Sequence, residues 1–277
     1  MKIHLRNIKK ILKFERDEYK YLSPFIHKFK KSYELLYCNR GNKTKFTGQI
    51  NSASSVNLTN WIKNDKIYIA PNNKERYQSY ISPCSAIVKD KKFLFIEAQR
   101  YNFNSNIICF RSEKKKWVLF KKFKLTSLKD NFQSPFFFKY KDKNLLFYSK
   151  NKNQIKCIEL DNSLKIIKKN VCFKGKLLNE KFSIYSPSIV KVDNKFHMFY
   201  AAWSSQFKGN INYAYSFDGI NWVKKYKNIF KFKKNIKIIS EPFVILKQNN
   251  ILLFFEFKNE HDQWNISYKK ISRSLLV

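Results

Sequence analysis

The sequence predicts an all-β chain folded as a five-bladed β-propeller, and three observations carry that expectation. A short marker returns five times: Ser23-Pro24, Ser82-Pro83, Ser134-Pro135, Ser186-Pro187 and Glu241-Pro242, at intervals of 59, 52, 52 and 55 residues. Each marker opens an apolar run, then a turn, then a second apolar run at 33–38, 93–98, 145–149, 196–202 and 251–257. Third runs follow at 48–54, 106–111, 154–159, 210–216 and 264–269. Runs of this length, rich in Phe, Tyr, Ile and Val and bounded by polar turns, read as strands. Five similar units at a period near fifty describe a ring of blades.

The chain also aligns with itself. Residues 50–61 match 211–222 without gaps, and Ile, Asn, Ala, Ser, Asn and Trp coincide. In the second copy, Asp218-Gly219 is expected to turn between the third and fourth strands, with Trp222 packing between blades. Near the start, Ile11-Leu12-Lys13-Phe14 matches Ile229-Phe230-Lys231-Phe232, each ten residues before a marker proline. The N-terminal segment therefore belongs to the repeat. The ring is expected to close when residues 2–8 supply the outer strand that the last unit lacks, which removes exposed edges. The blades are placed at 21–75, 80–128, 132–180, 184–236 and 239–272 plus 2–8, within one domain spanning 1–277. A β-sandwich or two unrelated β-domains would leave the even spacing unexplained.

Composition bounds the rest. A hydrophobic share of 44% supports a large core, and the 17% aromatic content suits sheets. Five glycines are few for so many turns, so Asn, Asp and Lys must do turn work, as at Asn72-Asn73 and Asn249-Asn250. The formal charge of +36 raises the alternative of a non-catalytic basic module for anionic polysaccharide, a membrane surface or nucleic acid. The lysines are spread through every turn and exposed strand face, and Lys, Asn, Ile, Phe and Tyr are inflated together. Compositional drift explains that better, and a nucleic-acid partner is not expected.

The five cysteines are odd in number, form no CxxC, and lie on predicted strands. They read as buried thiols of a reduced, cytoplasmic protein, with neither a metal site nor a disulfide framework. No dinucleotide fingerprint or phosphate-cradling loop is present, and no cofactor is expected. Residues 1–20 carry charges throughout, unlike a secretion signal, and no window approaches about eighteen apolar residues.

The stretch Tyr185-Ser186-Pro187-Ser188-Ile189-Val190 with Phe196-His197-Met198-Phe199-Tyr200, followed by Ile211-Asn212-Tyr213-Ala214-Tyr215-Ser216-Phe217-Asp218-Gly219-Ile220-Asn221-Trp222, resembles a blade of one enzyme clan. That clan is the five-bladed β-propeller glycosidases of glycoside hydrolase families 43, 32 and 68, which include arabinanases, levansucrases and invertases. The resemblance implies a carbohydrate-directed protein whose ligand is a glycan or small sugar held at the axial funnel. It is either a glycosidase or transferase, or a sugar-binding propeller with a degenerate catalytic set. The families place an Asp at the start of the first blade and a second Asp and a Glu on later blades. Here four strand starts are Ser23, Ser82, Ser134 and Ser186, and only Glu241 is acidic.

Propeller geometry brings first-strand starts and second-strand ends to one rim. Glycoside hydrolysis generally uses two carboxyl groups, one protonated and one ionised. Glu241 with Glu97 or Glu256 is the expected catalytic set. Substrate-binding positions are Ser23, Ser82, Ser134 and Ser186 from the strand starts, Arg40 and Arg100 as polar clamps, Trp203 as a stacking platform, and His261 in a rim loop. In the alternative, Glu241 bonds backbone and Glu97 pairs with Arg100. His197, inside a strand, reads as a core or inter-blade residue.

Overall fold

The computed structural model describes residues 2–5, 9–13, 20–29, 31–40, 47–71, 77–102, 104–123, 130–226, 228–232 and 236–276. Its strands form five antiparallel sheets in sequence order, so the chain completes each blade before starting the next. The first blade is Tyr21–Phe29, Ser32–Asn39, Gln49–Ser55 and Ile62–Lys63. The second is Ser79–Val88, Lys91–Gln99, Ser105–Glu113 and Lys116–Lys122. The third is Phe132–Tyr140, Lys143–Lys150, Gln154–Leu160 and Ile166–Lys174. The fourth is Ser183–Val192, Lys195–Ser205, Lys208–Ser216 and Val223–Tyr226. The fifth has three strands among the described residues: Ile236–Lys247, Asn250–Asn259 and Trp264–Ser272.

Inner and second strands are buried on both faces, and this is why they read as near-continuous apolar runs. Outer strands alternate, as in Lys116–Lys122. Blades seal on one another through aromatic rings. Phe25 and Phe136 both meet Phe243 near the axis, and Phe95 stacks on Phe137 at 5.6 Å. Turns are built largely without glycine. Lys89, Asp90, Lys114, Lys115, Lys141, Asn151, Lys152 and Asp193 all take positive φ. Asn249 lies in the last inner turn; Asn72 and Asn73 fall outside the described residues.

The self-alignment is reproduced atom for atom. In the fourth blade, Asp218 Oδ1 accepts from the Ile220 and Asn221 amides, and Trp222 Nε1 donates to Gly219 O. In the first blade, Asn57 Oδ1 accepts from Thr59 and Asn60, and Trp61 Nε1 donates to Leu58 O. Gly219 has φ +77 and Leu58, its counterpart, φ +71. Trp222 meets Phe147 of the third blade and Trp61 meets Phe254 of the fifth, so each locks a seam. Replacing Gly219 by Ala forces a Cβ into the left-handed region without a steric clash. The expected cost is about 1–2 kcal/mol, seen as a fall in Tm of a few degrees.

Ring closure uses the N-terminal segment, by a different stretch from the one expected. The Ile229 amide donates to Ile211 O on the third strand of the preceding blade, as Ile69 does to Ile50 and Phe123 to Ile107. The Ile11 amide donates in the same way to Ile266 O, so residues 9–13 lie against the fifth blade. Ser267 Oγ adds a bond to Lys9 O, and Lys20 bridges Trp264 in parallel. Ile3–Leu5, expected as the outer strand of the fifth blade, pairs instead in parallel with Phe230–Phe232. Residues 6–8 lie outside the described residues.

Candidate functional site at the axial mouth

The five markers share one backbone device. Ser23, Ser82, Ser134, Ser186 and Glu241 have φ of 55, 48, 52, 52 and 46°, and the strand register breaks at each. A non-glycine residue at positive φ costs energy, and a bulge re-aims side chains that strict alternation would send to opposite faces. Five such bulges around the axis turn consecutive residues toward the mouth. Below them, Pro24, Pro83, Pro135, Pro187 and Pro242 close the channel to a constriction of about 20 Å³.

Above the constriction lies a cavity of about 240 Å³. Glu97, Glu241 and Glu256 all line it, with Ser23, Ser134, Arg40 and Trp203. It also takes Leu22, Ile81, Gln133 and Tyr185, each the residue just before a marker, together with Gln99, Lys20, Lys152 and Trp264. Because of the bulge, the pre-marker residues pair across the sheet with Cys38, Glu97, Ser149, Ala201 and Glu256 in turn. Glu97 and Glu256 are therefore the same position in two blades.

Those two glutamates do the same structural task. Glu97 Oε2 accepts the Ser134 amide at 3.0 Å, and Glu256 Oε2 accepts the Ser23 amide at 3.2 Å, each the marker amide of the next blade. Glu97 also accepts from Ser105 Oγ at 2.8 Å, Gln133 Nε2 at 3.2 Å and Ser82 Oγ at 3.5 Å. Glu256 Oε1 accepts from Ser240 Oγ at 2.5 Å. Arg100 is not the partner of Glu97. Burial, reinforced by the negative charge of Glu241, raises the Glu256 carboxyl well above the ordinary carboxylate range.

Glu241 is arranged differently. It is half-buried, and its Oε2 is enclosed with no hydrogen-bond partner. Burial raises its pKa to about 7; the Ser23 hydroxyl works against this, the charge of Glu97 adds to it, and Lys152 and Arg40 oppose it. A carboxyl poised there can hold a proton at neutral pH and release it to a bound molecule. The bulge delivers this side chain to the cavity, which Ser23 and Ser134 line from two of the other blades.

One wall is aromatic. Trp203 stacks on Trp264 with ring centroids 6.4 Å apart at 20°, and Tyr185 lies 6.3 Å from Trp203. Gly209 pairs with Trp203 across the sheet and makes room for the indole. A Cβ there would stand 2.8 Å from both Trp203 Cε2 and Ile238 Cγ2. Gly209→Ala should push the platform out of line and cost about 1–3 kcal/mol by overpacking. Calorimetric unfolding and tryptophan fluorescence read the two effects separately.

Four expected site residues lie elsewhere. Ser186 lines the constriction, not the cavity, and Ser82 reaches the site only through Glu97 and Ser23 Oγ, each 3.5 Å away. Arg100 follows the last residue of its second strand, where the turn carries it outward; it is exposed, with its guanidinium over the Tyr77 ring. His261 likewise sits in an exposed turn, 3.7 Å from Glu260. His197 is a buried inter-strand residue, its Nδ1 2.6 Å from Tyr213 Oη, and burial lowers its pKa to about 4.

Tyr185, Gln133, Lys152 and Trp264 were not foreseen as site residues. Their signal, visible only once the bulge is known, is adjacency to a marker or to a rim turn. Among the described residues, no three His, Cys, Asp or Glu side chains are grouped to hold a metal ion, and no helix is long and apolar enough to cross a membrane. Cys38, Cys84, Cys109 and Cys157 are buried free thiols, and Cys172 is partly exposed. Burial raises the Cys38 and Cys84 thiols to about 12.

The chain is a five-bladed propeller with a carboxylate-lined axial cavity, the fold of the family-43 glycoside hydrolases. A thermostable family-43 glycoside hydrolase superposes with a TM-score of 0.73 at 15% identity, over 90% of this chain and 89% of that one. The α-L-arabinofuranosidase of Lactobacillus brevis gives 0.74 at 12% identity, over 90% of each chain. The endo-arabinase of Bacteroides thetaiotaomicron gives 0.71 at 14%, over 91% of this chain and 94% of that one. By sequence, the chain matches no family model and no curated protein. At these identities the likeness is one of fold.

Proposed function

We propose that the chain holds a sugar in the axial cavity and that Glu241 donates a proton there to a glycosidic oxygen. The observation that carries this reading is the enclosed, unpartnered Glu241 oxygen, protonated up to about pH 7, in a cavity with a stacked indole wall. Trp203 and Trp264 offer the apolar face of a sugar ring a platform. As the glycosidic C–O bond breaks, the proton of Glu241 passes to the leaving oxygen. A water molecule adds to the anomeric carbon in its place and loses its proton to solvent. Glu97, which lines the same cavity, stands against the positive charge developing on the sugar. The solved neighbours include an arabinofuranosidase and an endo-arabinase, so arabinosides are the first compounds to try.

A second reading is favoured by a specific observation. Glu97 and Glu256 are both committed to marker amides, and four of the five markers are serines. In that reading the propeller binds a glycan without cleaving it. One experiment separates the two: aryl glycosides and oligosaccharides are screened for release and for binding, with the wild type and Glu241→Gln. Release that is lost in the variant while binding persists supports the enzyme. Binding by both proteins without release supports the binder, and no binding by either overturns the sugar assignment.

A further inference from the structure

The same cavity contains a hydrogen-bonding imbalance that says what kind of sugar it takes. Arg40 Nη2 donates to Gln99 Oε1 at 3.0 Å, a neutral amide, and its Nε is buried without a partner. Trp203 Nε1, in the lining of the same cavity, is also buried and unpartnered. Lys152 lines the mouth with its ammonium over the Tyr185 ring, 5.4 Å from the centroid. The acids nearby do not neutralise these groups. Glu256 is bonded to Ser23 and Ser240, Glu97 to four donors of its own, and Glu241, with a pKa of about 7, carries only part of a negative charge near neutral pH.

Buried donors without acceptors are costly, and a bound group that accepts from them relieves the cost. A hydroxyl both donates and accepts, and the unpartnered Gln133 Oε1 and Glu241 Oε2 are acceptors present for it. A guanidinium edge, an ammonium and an indole N–H together call for a group that only accepts. That description fits a carboxylate or a phosphate. The chain's charge of +36 adds a long-range field that concentrates anions, but it does not discriminate among them.

We propose that the cavity takes an acidic sugar, whose carboxylate or phosphate is held by Arg40 with Lys152 while its hydroxyls face Gln133 and its ring lies against Trp203. This rests on the reading of the cavity as a sugar site and deepens it. Isothermal titration at pH 7 and 150 mM salt compares galacturonate with galactose, glucuronate with glucose, and glucose 6-phosphate with glucose and with inorganic phosphate. At least one acidic sugar is expected to bind about tenfold or more tightly than its neutral partner, and the preferred arm identifies carboxylate or phosphate. Arg40→Met should bring that ratio close to one by weakening the acidic sugar far more than the neutral one, which a general field effect would not do.

Equal binding of acidic and neutral sugars overturns the proposal and leaves the sugar site standing. A preference that survives Arg40→Met overturns it too, as does inorganic phosphate binding as tightly as any sugar acid. Binding of no sugar of either kind removes the sugar site itself. The melting temperature of Arg40→Met, measured alongside, separates a lost contact from a lost fold.

Discussion

Glu241→Gln is expected to lose turnover by about a hundredfold or more while making the protein more stable above neutral pH. The first effect follows from removing the proposed proton donor, since general acid catalysis typically contributes 10²–10⁴-fold. The second follows from linkage. The folded state holds this proton with a pKa of about 7, against 4.5 for the free group, so folding takes up a proton between those values. Stability contributed by the group is greatest below about 4.5, falls as pH rises toward 7, and is flat beyond. A neutral glutamine removes that loss. At pH 8 the variant should melt a few degrees above the wild type, and its Tm should vary less between pH 5 and 8. Wild-type activity should decline as pH rises through about 7. A variant that keeps activity, or that melts lower at pH 8, would sink the assignment of Glu241 as the poised acid.

The second large effect concerns closure. Ile11 and Leu12 are 9% and 3% exposed, and the segment carrying them is bonded to the third strand of the last blade. Replacing both with Ala removes packing worth about 2–5 kcal/mol per site. Together this is a large part of the 5–15 kcal/mol that holds an ordinary domain. The double variant should lose more than about 10 °C in Tm or fail to fold. Ile3→Ala with Leu5→Ala, on the segment that pairs with Phe230–Phe232, is the comparison: it removes buried side chains from the cluster shared by the fourth and fifth blades, a different cluster from the one that holds Ile11 and Leu12. If the Ile11 and Leu12 pair costs no more than one exposed apolar residue, the ring does not depend on that latch.

A protein poised in this way gives up stability at the mouth of its funnel. Five left-handed bulges and a buried acid are each unfavourable in isolation, and they sit around one cavity. The surrounding sheets hold them there. Glu97 and Glu256 bind marker amides that the broken ladder leaves exposed, and each ties one blade to the next. The residues that look most catalytic by type are therefore also fasteners, and Glu241 alone has an oxygen left over.

Much of this was legible in the chain itself. Near-continuous apolar runs and polar turns placed the strands to within a few residues, because strands buried on both faces are mostly apolar. The Ser-Pro marker announced the inner strand, and the Asn57 and Asp218 turns were visible as a gapless repeat, since the same backbone bonds demand the same side chains. Glu241 stood out in the sequence as the one acid among five markers. The tertiary structure alone decided which neighbours share the cavity. A bulge breaks the alternation on which facing is normally inferred, so Gln133 and Tyr185 enter while Arg100 and His261 turn away. It also decided which glutamate keeps a free oxygen and which stretch latches the ring. Both depend on blades meeting far apart in sequence, and no local pattern of residues encodes a distance across the axis.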